Sequence, residues 1–145
     1  QIGTILNGET LFEGSIRENI TFNDPTLTSE DLKWVIEAMQ LGDLIKSLPN
    51  GLETRIFPEG KQLTSSNSQK ILLARSIIHK PKVLFFENPT DHMDDAVAKD
   101  IIEFLCAPQQ QWTVIVSSKN QLWKTKATRH IIMQNGKIVS DIQKN

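Results

Sequence analysis

The sequence predicts an α/β fold with a parallel-sheet core, a helical subdomain and a C-terminal β-hairpin. Three observations carry this. KVLFF at 82–86 is a continuous apolar run of strand length, the kind buried on both faces of a parallel sheet, and WTVIV at 112–116 reads as a further strand. Helical segments separate such runs along the chain, which is the α/β pattern. HIIMQNGKIVSDI at 130–142 sets two β-prone runs around Asn135-Gly136, the strongest short hairpin signal.

Taken in order, QIGTIL at 1–6 is a short β-prone run. It starts with neither an initiator Met nor a leader and reads as part of a longer polypeptide. Thr28 with Asp31 three residues on forms a capping box, followed by Leu32, Val35, Ile36 and Met39 at helical spacing, with Gly42 as the stop. A short helix over Asp43 to Ser47 ends before the turn Pro49-Asn50-Gly51. Ser66 with Gln69 suggests a second capping box, leading into apolar Ile71, Leu72, Ile77 and Ile78 before Pro81 ends the helix. After the first buried strand, a helix from about Asp94 to Cys106 leads to the second.

A chain of 145 residues buries a real core without disulfides or metals. Sixteen basic against 17 acidic residues give no field that would attract nucleic acid, and none is expected as a partner. The single cysteine, Cys106, has no internal partner, which fits a reducing compartment, and its apolar surroundings fit a small buried hydrophobe. No apolar run reaches the roughly 18 residues of a membrane span. His79, His92 and His130 are not spaced as metal ligands.

Five segments, LFEGSIRENI, LTSSNSQKILLARSII, KPKVLFFENPTDHMD, TVIVSS and RHIIMQNGKIV, stand in an order and spacing that resemble the ATP-binding domain of ABC transporters, from its Q-loop to its C-terminal end. LFEGSIRENI is similar to the LFSGTIRENI stretch of the exporter branch. The resemblance implies a P-loop NTPase-like fold in which residues 1–12 form a core strand and Q-loop, 13–80 the helical subdomain with the signature helix, and 82–145 the α/β core.

The departures from the family pattern carry the most information. The phosphate-cradling string G-x-x-x-x-G-K-[ST] occurs nowhere in these residues. The Q-loop glutamine falls on Asn7, one methylene shorter; the dipeptide Asn7-Gly8 is equally a plain turn. The signature LSGGQ falls on Leu63, Thr64, Ser65, Ser66 and Asn67. Two serines at its glycine positions would hinder close approach of phosphate and strain any left-handed backbone there; the same residues also read as an ordinary serine-rich helix cap. Glu87 takes the place of the magnesium-holding aspartate and Asn88 that of the water-activating glutamate. Asp94 matches the D-loop aspartate, and Lys119 sits at the H-loop histidine position or is simply a solvated charge. A neutral amide orients water without taking its proton, and losing a general base costs about 10²–10⁴ in rate.

What the resemblance implies, then, is the C-terminal part of an exporter nucleotide-binding domain with impaired hydrolysis, coupling ATP binding to transport. The alternative is a nucleotide-independent structural module derived from such a domain; a third reading makes Glu87 a shifted base. ATP and Mg²⁺, with Glu87 and Asn7 toward the metal, belong to the parent protein, and neither is expected to bind this segment tightly. The implied partners are a transmembrane domain and a second ATP-binding domain, identical or not, at the cytoplasmic face of the inner or plasma membrane. A sheet without its upstream strands would expose apolar faces and an edge, so self-association is expected.

Overall fold

The computed structural model describes residues 1–144; Asn145, the last residue of the expected core region, lies outside the described residues. In chain order the elements are β1 (Ile2–Ile5), β2 (Gly14–Ser15), α1 (Ile16–Thr21), α2 (Ser29–Ala38), α3 (Gly42–Ser47), β3 (Arg55–Ile56), α4 (Ser65–Ile77), β4 (Val83–Glu87), α5 (Asp95–Leu105), β5 (Thr113–Ser117), α6 (Gln121–Lys126), β6 (Arg129–Gln134) and β7 (Lys137–Gln143). Short 3₁₀ turns at Gly51–Glu53 and Pro58–Gly60 flank β3.

β1, β4 and β5 form a parallel sheet in that order, with Ile5 level with Phe86 and Phe86 level with Val116. β2 and β3 pair antiparallel near the start of α1. The core joins sheet residues Ile5, Leu84 and Phe86 to Ile71, Leu73 and Ile77 of α4 and to Ile101 and Ile102 of α5, all essentially inaccessible.

The sheet is covered on one face only. β4 was expected to be buried on both, yet Phe85 is 45 % exposed beside Ile115 at 47 %, while Leu84 and Phe86 are sealed. Side chains alternate across a strand, and among the described residues nothing packs on the second face. The hairpin β6–β7 has a matching character. Asn135 at φ 49° and Gly136 at φ 73° make its tight turn. Ile131, Met133, Ile138 and Ile142 stand exposed along it, and the register is broken by a bulge at Ile132/Met133. Apolar surface of this extent drives association. The chain is therefore expected to self-associate as its concentration rises; a single monomeric species in sedimentation at the highest attainable concentration would contradict this.

Two helix boundaries differ from the sequence expectation. Gly42 does not stop α2: the helix ends at Ala38, Gln40 takes the left-handed turn at φ 52°, and Gly42 opens α3. Leu41, fully buried, fixes that early turn, because carrying α2 on to Gly42 would swing it out of the core. Nor do Ser66 and Gln69 form a capping box. Thr64 is the N-cap, its side chain accepting from the Asn67 N–H, and Gln69 reaches across to another segment.

The Thr28–Asp31 box forms as expected, with Thr28 Oγ1 accepting from the Asp31 N–H and Asp31 accepting from the Thr28 N–H. Hydrogen bonds from the Thr28 backbone and hydroxyl, then Lys80, hold Asp31 down from its ordinary 3.8 to about 2. Asp24 is lowered likewise to about 2, by the Thr26 hydroxyl and N–H and then by His79 at 2.9 Å. A folded-state pKa below the unfolded value stabilises the fold above the unfolded pKa, and this contribution is lost as pH falls through the folded one. Urea midpoints should thus decline between the ordinary 3.8 and about 2, and Asp31→Asn should flatten that decline.

Candidate functional site

The C-terminal ends of β1 and β4 lie side by side, and ligands of open parallel sheets gather at such strand ends. Beyond β1 the chain turns at once. The Glu9 N–H donates to the Leu6 carbonyl at 3.0 Å, the Leu6 N–H donates to Glu9 Oε2 at 2.8 Å, and Gly8 takes φ 84°. This turn points the Asn7 N–H at the end of β4, where it donates to Glu87 Oε2 at 2.9 Å. Two positions 80 residues apart in the chain, each predicted from sequence, are thus in direct contact.

Asn88 follows with φ 47°, a left-handed conformation that asparagine tolerates better than most residues. Its N–H donates to the Ser117 carbonyl at 2.8 Å, tying the turn to β5. Asn7, Glu87 and Asn88 share a cleft of about 560 Å³ with Leu63 and Ser65 from the start of α4. Its walls also carry Glu9, Glu59 and Asp91 against Lys61, so the cleft is acidic and suits a cation better than a bare phosphate.

The remaining predicted positions stand apart from this cleft. Thr64 and Asn67 are spent on the cap of α4, and Ser66 lies in its first turn. Ser65 and Ser66 both adopt ordinary helical backbone, so the left-handed strain anticipated for serines at these positions does not arise. Asp94 precedes α5 as its N-cap without a side-chain hydrogen bond, and Lys119 is exposed in the loop after β5. Cys106 closes α5 half-buried, its thiol pKa pushed up by burial.

Comparison with known proteins places this fold. No protein-family model matches the chain. The ABC-type transporter kk1G of Curvularia clavata is 33 % identical over 141 residues, 96 % of this chain but 10 % of that protein. The leukotoxin translocation ATP-binding protein LktB of Mannheimia haemolytica is 31 % identical over 139 residues, 96 % of this chain and 20 % of its own length. A bacterial Atm1-family ABC exporter solved with ATP bound superposes with a TM-score of 0.89 at 20 % identity, over 97 % of this chain and 25 % of that one. The chain belongs to the ABC transporter ATP-binding domains. It spans a tenth to a fifth of the length of the curated relatives named here.

Within this ABC domain segment, the donor set fits one of the two groups the family implies. Magnesium takes oxygen ligands, often a single carboxylate with waters. Glu87 commits Oε2 to Asn7 and keeps Oε1 for such a contact. Among the described residues no cluster of three or more metal-ligating side chains forms, so water and a phosphate oxygen would complete the shell. The string G-x-x-x-x-G-K-[ST], whose backbone amides would cradle a nucleotide's phosphates, does not occur in these residues.

Two residues of this ABC segment escaped sequence reading. Gln69 donates Nε2–H to the Asn88 carbonyl at 2.9 Å and accepts from the His92 N–H at 3.2 Å, crossing the cleft. Arg75 of α4 donates from Nε to the Asn19 carbonyl at 2.6 Å and from Nη2 to Asn19 Oδ1 at 2.7 Å, beside the stacked Phe12 and Phe22 rings. Local pattern gives no sign of these contacts, and it took Gln69 for a capping partner of Ser66.

Proposed function

We propose that this chain is the C-terminal part of the nucleotide-binding domain of an ABC-type exporter, coupling ATP binding to transport with impaired hydrolysis. The observation that supports the reading is the contact of the Asn7 N–H with Glu87 at the strand ends beside Asn88, the two residues taken as the Q-loop and metal positions. Glu87 would hold magnesium through its free oxygen, and magnesium bound there would screen phosphate charge. Asn88 orients water but takes no proton from it, so turnover is slow by about 10²–10⁴ relative to a glutamate.

Ser65 at the start of α4 meets the nucleotide of a second ATP-binding domain in this reading. The segment from Phe12 to Ile20 faces the transmembrane domain at the cytoplasmic side of the membrane. No helix among the described residues is long and apolar enough to cross a membrane, consistent with a domain that works beside one.

The test is calorimetric titration of MgATP into a polypeptide joining this segment to an intact phosphate-binding loop, together with its steady-state hydrolysis. Saturable binding with slow turnover is expected. Absent binding would favour a nucleotide-independent module; fast turnover abolished by Glu87→Gln would make Glu87 the base and overturn the role given to Asn88.

A further inference from the structure

We propose that Gln69 is a positioning residue that locks the loop after β4 to the signature helix, so that Asn7, Glu87 and Asn88 move with α4 as one body. The proposal rests on the reading of Glu87 and Asn88 as the metal and water positions.

The geometry needs one side chain that both donates and accepts. Gln69 Nε2 donates to the Asn88 carbonyl at 2.9 Å while its Oε1 accepts from the His92 N–H at 3.2 Å. One side chain thereby closes both ends of the loop 88–92, as a neighbouring strand would. Lysine cannot accept and an ionised carboxylate cannot donate, so no charged side chain makes both bonds. The loop needs such a tie because it opens with Asn88 at φ 47°. On its other side Asn88 is anchored to β5 through the Ser117 carbonyl. Helix α4 therefore reaches the metal position in two short steps: Gln69 holds Asn88, and Glu87, its neighbour, holds the Asn7 N–H at 2.9 Å. A shift of the signature end would be felt at the Q-loop turn, and the reverse.

The experiment is amide hydrogen exchange, by NMR, on the isotope-labelled chain and its Gln69→Glu variant. In the variant the His92 amide is expected to exchange roughly five- to tenfold faster, the loss of about one ordinary hydrogen bond. The Asn7 amide, which bonds to Glu87 and not to Gln69, should speed with it, while amides of the β1–β4 ladder stay unchanged. The titratable groups around the substituted carboxyl are Glu87, Asp91 and His92 on the loop side, with Glu9, Glu59 and Lys61 across the cleft. As pH falls through the ordinary carboxyl value of about 4.3, the protonated group regains a donor, and the variant-to-parent exchange ratios should return toward one.

Faster exchange at His92 with Asn7 unmoved would overturn the proposal and reduce Gln69 to a local tie, as would an unchanged His92. A urea midpoint shifted with ladder amides accelerated throughout would likewise reject it in favour of general destabilisation. Nucleotide takes no part in these measurements, so failure here is separate from failure of MgATP to bind.

Discussion

Arg75→Ala is expected to lower stability by about 3–5 kcal/mol in urea unfolding, because it empties a part-buried polar hub. The guanidinium serves Asn19 twice, at its carbonyl and at Oδ1, and Asn19 is fully buried. Asn19 in turn clamps Phe12 by accepting from its N–H and donating to its carbonyl, each at 3.0 Å. Removing the arginine takes the side-chain donor from the Asn19 carbonyl and leaves Oδ1 with the Phe12 N–H alone, and an unsatisfied buried acceptor costs more than the lost bond itself. The Phe12 and Phe22 rings, stacked at 5.7 Å with the guanidinium within 5.3 Å of each, lose their cation as well. Burial pulls the Arg75 pKa down, and Glu9 partly offsets this. Arg75→Lys is expected to recover less than half of the loss, because an ammonium cannot reproduce the planar fork. Equal effects of Arg75→Ala and Arg75→Leu on a chain whose Asn19→Ala variant is unaffected would show that the hub carries no weight.

Gly3→Ala is expected to cost about 3 kcal/mol, or to prevent folding, through overpacking. A Cβ at Gly3 would lie 2.2 Å from the Ser76 carbonyl oxygen and 2.8 Å from Leu84 Cδ2. The first neighbour is backbone of α4 and cannot swing aside. Nor can β1 retreat, because Gly3 is held in register with Leu84 by the parallel ladder. Thr4→Ala, on the open face of the same strand, serves as the control and should change stability by no more than about 0.5 kcal/mol. Thermal or urea unfolding distinguishes the two, and a Gly3→Ala variant as stable as Thr4→Ala would refute the close approach.

These two residues mark where sequence reading stops. Thr28 with Asp31 and Asn135 with Gly136 were legible because each pair is satisfied by its immediate neighbours, and local chemistry decides a cap or a tight turn. Resemblance singled out Glu87, Asn88 and Asn7, and the structure sets all three along one cleft. Arg75 and Asn19 are 56 residues apart, and nothing in ENI or LLARS announces that they meet. Gly3 looks like a weak residue in a β-prone run until the helix lying against it is seen. Gly42 and Ser66 misled for the converse reason: each has the residue type of a helix end, and packing of Leu41 and capping by Thr64 moved the ends elsewhere. Burial on both faces of β4 failed because apolar composition records what a strand can bury, whereas its partners decide what it does bury.

The left-handed backbone at Asn88 restricts which side chains this position accepts. A left-handed residue other than glycine or asparagine costs about 1 kcal/mol or more. Placing a glutamate at position 88 would therefore carry a folding penalty that asparagine avoids, so a stability scan across side chains at this position is expected to rank asparagine and glycine above glutamate.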